Sequence, residues 1–120
     1  MALILVVEDL EPLQNLIREA LDAGGHKAVC VGSGKEASRL CQNKRFDLII
    51  TNILMPEMDG LELIRSLRES HNQVPIIAIS GASEQILGIA LLLGAVATMQ
   101  KPFRLQGLVA RVDEILASRP

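Results

Sequence analysis

Five short apolar runs punctuate the chain at Leu3–Val7, Ala28–Val31, Phe46–Ile50, Ile76–Ile79 and Ala95–Met99. They are continuously apolar rather than alternating, which is the pattern of strands buried on both faces. Stripes of helical period lie between them. Leu13, Leu16, Ile17, Ala20 and Leu21 share one face, with Pro12 near the helix start and Gly24-Gly25 just past its end. Ala37, Leu40 and Cys41 form a shorter stripe, Leu61, Ile64 and Leu67 another, and Leu105, Leu108, Val109, Val112, Ile115 and Leu116 a long one. Strands alternating with helices in this way predict an α/β fold, a doubly wound parallel sheet with helices on both faces. No repeat or low-complexity segment breaks the pattern, so residues 1–120 read as one domain. The tail Ser118-Arg119-Pro120 fits either a chain end or the start of a linker.

Composition narrows the function classes. The 120 residues are 49% hydrophobic and 22% charged, enough apolar material for a real core. Phenylalanine supplies the only two aromatic residues, so stacking platforms for single-stranded nucleic acid are excluded. A net charge of −2 gives no general pull toward nucleic acid or an anionic membrane. Cys30 and Cys41 lack metal-type spacing and read as unpaired thiols of a reducing compartment. Met1-Ala2 offers no basic n-region of a signal peptide, and the apolar stretch Ile86–Leu93 falls short of the roughly 20 residues that span a bilayer. A cytoplasmic location is expected.

Polar groups gather at the strand ends. Glu8-Asp9 follows the first strand, Asn52 the third and Ser80 the fourth, and Lys101, joined to Pro102, follows the fifth. In a doubly wound sheet these ends line one crevice. Two adjacent acids with oxygen neighbours suit a hard divalent cation such as Mg²⁺. A hydroxyl and an ammonium opposite them suit a phosphoryl group.

At these positions the chain resembles the receiver domain of two-component response regulators. The matching pieces are Leu5-Val6-Val7-Glu8-Asp9, the segment from Asn52 to Gly60, Ile79-Ser80-Gly81-Ala82, Gly94-Ala95 and Lys101-Pro102-Phe103. Each is weak alone, but five in order at the right strand ends are specific. The resemblance implies a five-stranded sheet of flavodoxin-like order 2-1-3-4-5. It also implies that Asp9 holds Mg²⁺ directly, that Glu8 does so mainly through water, and that the Leu54 carbonyl assists. Ser80 would be the hydroxyl switch and Lys101 the phosphoryl partner, with a cis bond to Pro102. Asn52 would stand at the phosphoacceptor position. The implied partners are a sensor histidine kinase or phosphotransfer protein and an output protein or domain, with homodimerisation possible and no direct contact with nucleic acid or membrane. The expected activity is signalling rather than catalysis.

Two departures qualify the resemblance. An amide cannot form an acyl phosphate, and its neutrality weakens any Mg²⁺ site. Thr98 stands where receivers usually carry a Tyr or Phe that swings between exposed and buried positions. Asn52 is compatible with a natural pseudo-receiver and with an engineered block of phosphorylation. The rival class is a flavodoxin-like or phosphatase-like enzyme on the same sheet order. The acidic loop Glu8-Asp9-Leu10-Glu11-Pro12 disfavours it, because such a loop repels a cofactor phosphate.

Blander readings exist for single residues. Asp9 could merely cap a helix, and Ser80 or Lys101 alone would be a strand-end hydroxyl and a solvated lysine. Gly32-Ser33-Gly34-Lys35 lacks the rest of a phosphate-binding loop and reads as a turn with a helix start. His26 and His71 adjoin turn signals and are expected to be exposed. No charge falls between Gln85 and Gln100. In that stretch Ile86, Ile89, Ala90 and Leu93 are expected to cover the sheet, leaving Leu87, Leu91 and Leu92 as an outward apolar patch for a partner.

Overall fold

The computed structural model describes residues 2–55, 58–81 and 83–119. Pro56 and Glu57 of the Asn52–Gly60 segment, Ala82 of the fourth motif piece and Pro120 of the tail lie outside the described residues. Strands and helices alternate strictly: β1 (Leu3–Val7), α1 (Glu11–Ala23), β2 (Lys27–Val31), α2 (Gly34–Asn43), β3 (Leu48–Asn52), α3 (Gly60–Glu69), β4 (Ile76–Ser80), α4 (Glu84–Leu93), β5 (Ala97–Gln100) and α5 (Leu105–Ala117). The sheet is parallel throughout, in the order β2-β1-β3-β4-β5.

Alternate side chains of each strand feed two cores. Leu5, Val7, Ile49, Ile76 and Ala78 pack with Ala37, Ile64, Leu67, Leu87 and Ala90 beneath α2, α3 and α4. Ile4, Val6, Leu48, Ile50, Ile77 and Ile79 pack with Ile17, Leu21, Leu108 and Val112 beneath α1 and α5. Burial on both faces explains why the strands read as unbroken apolar runs. Cys41 packs against the first core and Cys30 against the second, so the sheet separates the two free thiols. Burial pushes both thiol pKa values up, at Cys30 against the opposing pull of Arg18.

Several expectations shift. β3 runs two residues later than its apolar run, so Asn52 is its last residue rather than a residue beyond its end. β5 begins at Ala97, because the Ala95 N–H still closes the end of α4 on the Ala90 carbonyl. Leu16 is half exposed although it lies on the expected stripe of α1. His26 is not exposed: its side chain keeps 9% of its surface, and Nε2 lies 2.7 Å from Asp113 on α5. His71 is exposed as expected. Ser33 caps α2 by accepting from the Glu36 N–H, the turn and helix start read from that stretch.

The largest correction falls on α4. Leu87 is buried at 7% exposure, whereas Ile89 is 45%, Leu91 47% and Leu92 88% exposed. Leu87 is therefore core and Ile89 surface, the reverse of the expectation. Ala90 marks the centre of the covered face, and Leu92, about 200° further round the helix, stands opposite it. After Glu84 and Gln85 in its first turn, α4 carries no polar residue from Ile86 to Leu93 to fix its rotation, and the small Ala90 side chain lets the helix approach most closely there.

Arg68 ties the ends of α3 and α4 together. Its guanidinium donates to the Asn72 carbonyl at 2.7 Å and to the Gly94 carbonyl at 2.8 Å. Desolvation lowers its pKa from the usual arginine value.

Candidate functional site

The site forms at the carboxyl ends of β1 and β3. The chain leaves β1 toward β2 on one side and returns to place β3 on the other, so a crevice opens between the two strand ends. Glu8 immediately follows β1 and keeps only 2% of its surface. Its backbone N–H still donates to the Val31 carbonyl, extending the β2 pairing one residue. A buried carboxylate needs partners, and among the described residues Glu8 finds them in Leu10, Asn52 and Lys101. Oε2 accepts from the Leu10 N–H at 3.0 Å and from the Asn52 amide at 3.4 Å, and Oε1 from the Lys101 ammonium at 3.3 Å.

Asn52 is the hub. Its Nδ2 donates to Glu8 Oε2, to Asp9 Oδ1 at 3.5 Å and to the Leu54 carbonyl at 3.3 Å. All three neighbours are acceptors, so the amide must face them through its nitrogen. Gly60 holds the returning loop: its N–H donates to the Ile53 carbonyl at 2.8 Å, and a Cβ there would lie 2.5 Å from the Asn52 carbonyl oxygen. Gly34 does the same from α2, donating to the Met58 carbonyl, which a Cβ would meet at 2.2 Å. Met58 itself has a left-handed φ of 68°.

Asp9 is exposed and does not cap α1, whose N-cap is Leu10 without a side-chain bond. That removes the plain structural reading of this acid. Ser80 ends β4 fully buried, and its carbonyl accepts from the Lys101 N–H at 2.9 Å. The Lys101–Pro102 peptide is cis, as expected. Thr98 is half-buried and pairs with Ala78, two residues before the level of Ser80 on the sheet. The structure thus gathers Glu8, Asp9, Asn52, the Leu54 carbonyl and Lys101, with Ser80 on the adjoining strand end. Thr98 sits further down β5, and Leu91 and Leu92 lie on the outer face of α4.

Sequence reading missed Gln14. From the first turns of α1 its Nε2 donates to the carbonyls of Glu8, at 2.5 Å, and Val31, at 3.1 Å, fastening the helix to the ends of β1 and β2. A lone glutamine on a helix carries no sequence signal for this.

The oxygen-rich residue types suit a hard divalent cation, but the arrangement does not. The Asn52 amide hydrogens point at the oxygens a cation would use, and the Lys101 ammonium adjoins one of them. Among the described residues no group of three or more His, Cys, Asp or Glu side chains could hold a metal ion.

Comparison with known proteins places this geometry in context. A family model described as the response regulator receiver domain matches residues 4–113. The alkaline phosphatase synthesis transcriptional regulatory protein PhoP of Bacillus subtilis is 33% identical over 116 residues, covering 94% of this chain and 48% of that protein. The chain spans about half the length of the curated relatives it matches. Among solved structures, the receiver domain of a Syntrophus aciditrophicus signal transduction histidine kinase superposes with a TM-score of 0.91 at 31% identity, covering 100% of this chain and 95% of that one. The receiver domain of a Pseudomonas aeruginosa sensor histidine kinase does so at 0.89 and 29% identity, covering 98% of both, and holds a magnesium ion coordinated in its active-site cleft.

Proposed function

We propose, from the premise that this chain belongs to the response-regulator receiver family, that it is a receiver domain whose phosphoryl trigger is missing. Asn52 stands at the acceptor position, and the remaining site groups keep their places around it. One observation carries the reading: the Asn52 side chain makes its contacts to Glu8, Asp9 and the Leu54 carbonyl at the end of β3. An amide nitrogen is no nucleophile toward phosphorus at neutral pH, and the amide oxygen lacks a full charge. Lys101 and Ser80 are the groups that would meet phosphoryl oxygens, and Thr98 replaces the aromatic switch, so both trigger and readout are altered. Any Mg²⁺ held by Glu8, Asp9, Asn52 and the Leu54 carbonyl binds weakly, because ligand charge sets affinity in such sites.

The module signals by binding, not catalysis. Its partners are a sensor histidine kinase or phosphotransfer protein and an output protein or domain, in the cytoplasm. The contact face is the exposed apolar surface of Ile89, Leu91 and Leu92 on α4 with Val96 just beyond it, and it excludes the buried Leu87. No described helix is long and apolar enough to cross a membrane.

The test of the missing trigger is incubation with acetyl phosphate and Mg²⁺. The chain as it stands is expected to gain no phosphoryl group that hydroxylamine removes, since that lability marks an acyl phosphate. A hydroxylamine-sensitive label on residue 52 would overturn the reading.

A further inference from the structure

The Asn52 amide occupies the convergence point of three oxygens that belong to two different segments of backbone. Glu8 and Asp9 bring two carboxylates from the end of β1, and Leu54 brings a carbonyl from the loop after β3. In a pocket of this kind the mutual repulsion of the oxygens is ordinarily relieved by a cation. Here the positive end of a side-chain dipole lies among them instead, with the Lys101 ammonium against the far oxygen of Glu8.

We propose that the Asn52 amide is the built-in occupant of this pocket, so that the metal-free state is the resting state of the domain and divalent cations compete with the amide rather than complete the site. Three physical arguments support this. The amide orientation is dictated by its neighbours, because turning Oδ1 inward would set a third oxygen against two carboxylates. An entering cation must turn the amide and give up three hydrogen bonds, two of them to carboxylates. In return it gains a neutral ligand, against two carboxylates already partly compensated by Lys101. Each bond is long, at 3.3 to 3.5 Å, so none is strong alone. Their joint effect is to hold Glu8, Asp9 and the loop at Leu54 in one arrangement without metal. The inference rests on the reading of this crevice as the receiver pocket, but it is tested without any phosphoryl donor, so the two can fail separately.

The experiment compares the unaltered chain with Asn52→Asp and Asn52→Leu in EDTA and in Mg²⁺. In EDTA the unaltered chain should melt above both variants, because aspartate adds a third repelling carboxylate and leucine removes the donors. Adding Mg²⁺ should raise the melting temperature of Asn52→Asp and leave that of the unaltered chain nearly unchanged, with Mg²⁺ affinity weaker by about tenfold or more. Should either variant fail to fold, nitrogen–proton spectra of the unaltered chain decide alone. The Asn52 side-chain amide hydrogens should exchange slowly in EDTA and keep their resonances as Mg²⁺ is added. The proposal is overturned if Asn52→Leu melts at or above the unaltered chain in EDTA. It also fails if the unaltered chain gains as much from Mg²⁺ as Asn52→Asp, or if the amide resonances move early in the titration.

Discussion

Replacing Gly60 by alanine should loosen the site through its scaffold. The added Cβ would lie 2.5 Å from the Asn52 carbonyl oxygen and 2.8 Å from the Ile53 Cα, both main-chain atoms, whereas ordinary contact begins near 3.4 Å. The strand end and the helix must separate by on the order of 0.5–1 Å, and overpacking of that kind costs about 1–3 kcal/mol. Gly60 has no left-handed φ, so backbone strain adds nothing, and alanine in α3 returns up to about 1 kcal/mol of helix propensity. The net expectation is a loss of about 1–2 kcal/mol, roughly 1 M in the urea midpoint for a domain of this size. Gly88→Ala is the matched control. A Cβ there meets nothing within 4 Å in the middle of α4, so the same substitution should stabilise by about 0.5–1 kcal/mol. Urea melts of the two variants should move in opposite directions. A Gly60→Ala midpoint at or above that of the unaltered chain would refute the close approach of β3 and α3.

Leu87→Ala should destabilise by about 2–4 kcal/mol in the same melts while Leu92→Ala stays within about 0.5 kcal/mol; equal effects would contradict the rotation of α4. Arg68→Met should cost about 2–3 kcal/mol, because the carbonyls of Asn72 and Gly94 lose charged donors, and thermal melts that show no change would count against that link. The folded thiols have raised pKa values. Their protonated form is favoured by folding, so stability should hold below the ordinary thiol pKa of about 8.5 and decline as pH rises from there through the higher folded values. Melts from neutral to alkaline pH check this against a Cys30→Ala, Cys41→Ala double variant, which should decline less.

The strand ends were legible because an apolar run that stops at Glu8, or reaches Ser80 or Lys101, marks both an element boundary and a polar edge. Boundaries slipped where burial and pairing disagree. Phe46 is buried yet precedes β3, while Thr51 is polar yet lies in it, fully buried with its hydroxyl donating to the Asn52 carbonyl. The rotation of α4 was illegible because its stretch of apolar residues offers no contrast. Gln14, Arg68 and the Gly34–Met58 contact were illegible for another reason. Each joins segments whose proximity exists only after the sheet has formed. Asn52 was identified from its place in the segment, but the direction of its amide follows only from the three acceptors the fold brings to it.

The proposal that this crevice is a receiver pocket lacking only its acceptor carboxylate stands or falls with Asn52→Asp. With acetyl phosphate and Mg²⁺, that variant should gain a hydroxylamine-labile phosphoryl group on residue 52, diminished when Lys101→Ala is added. An unlabelled but folded Asn52→Asp variant would contradict the claim, because Glu8, Asp9, Ser80 and Lys101 would then not form a working pocket.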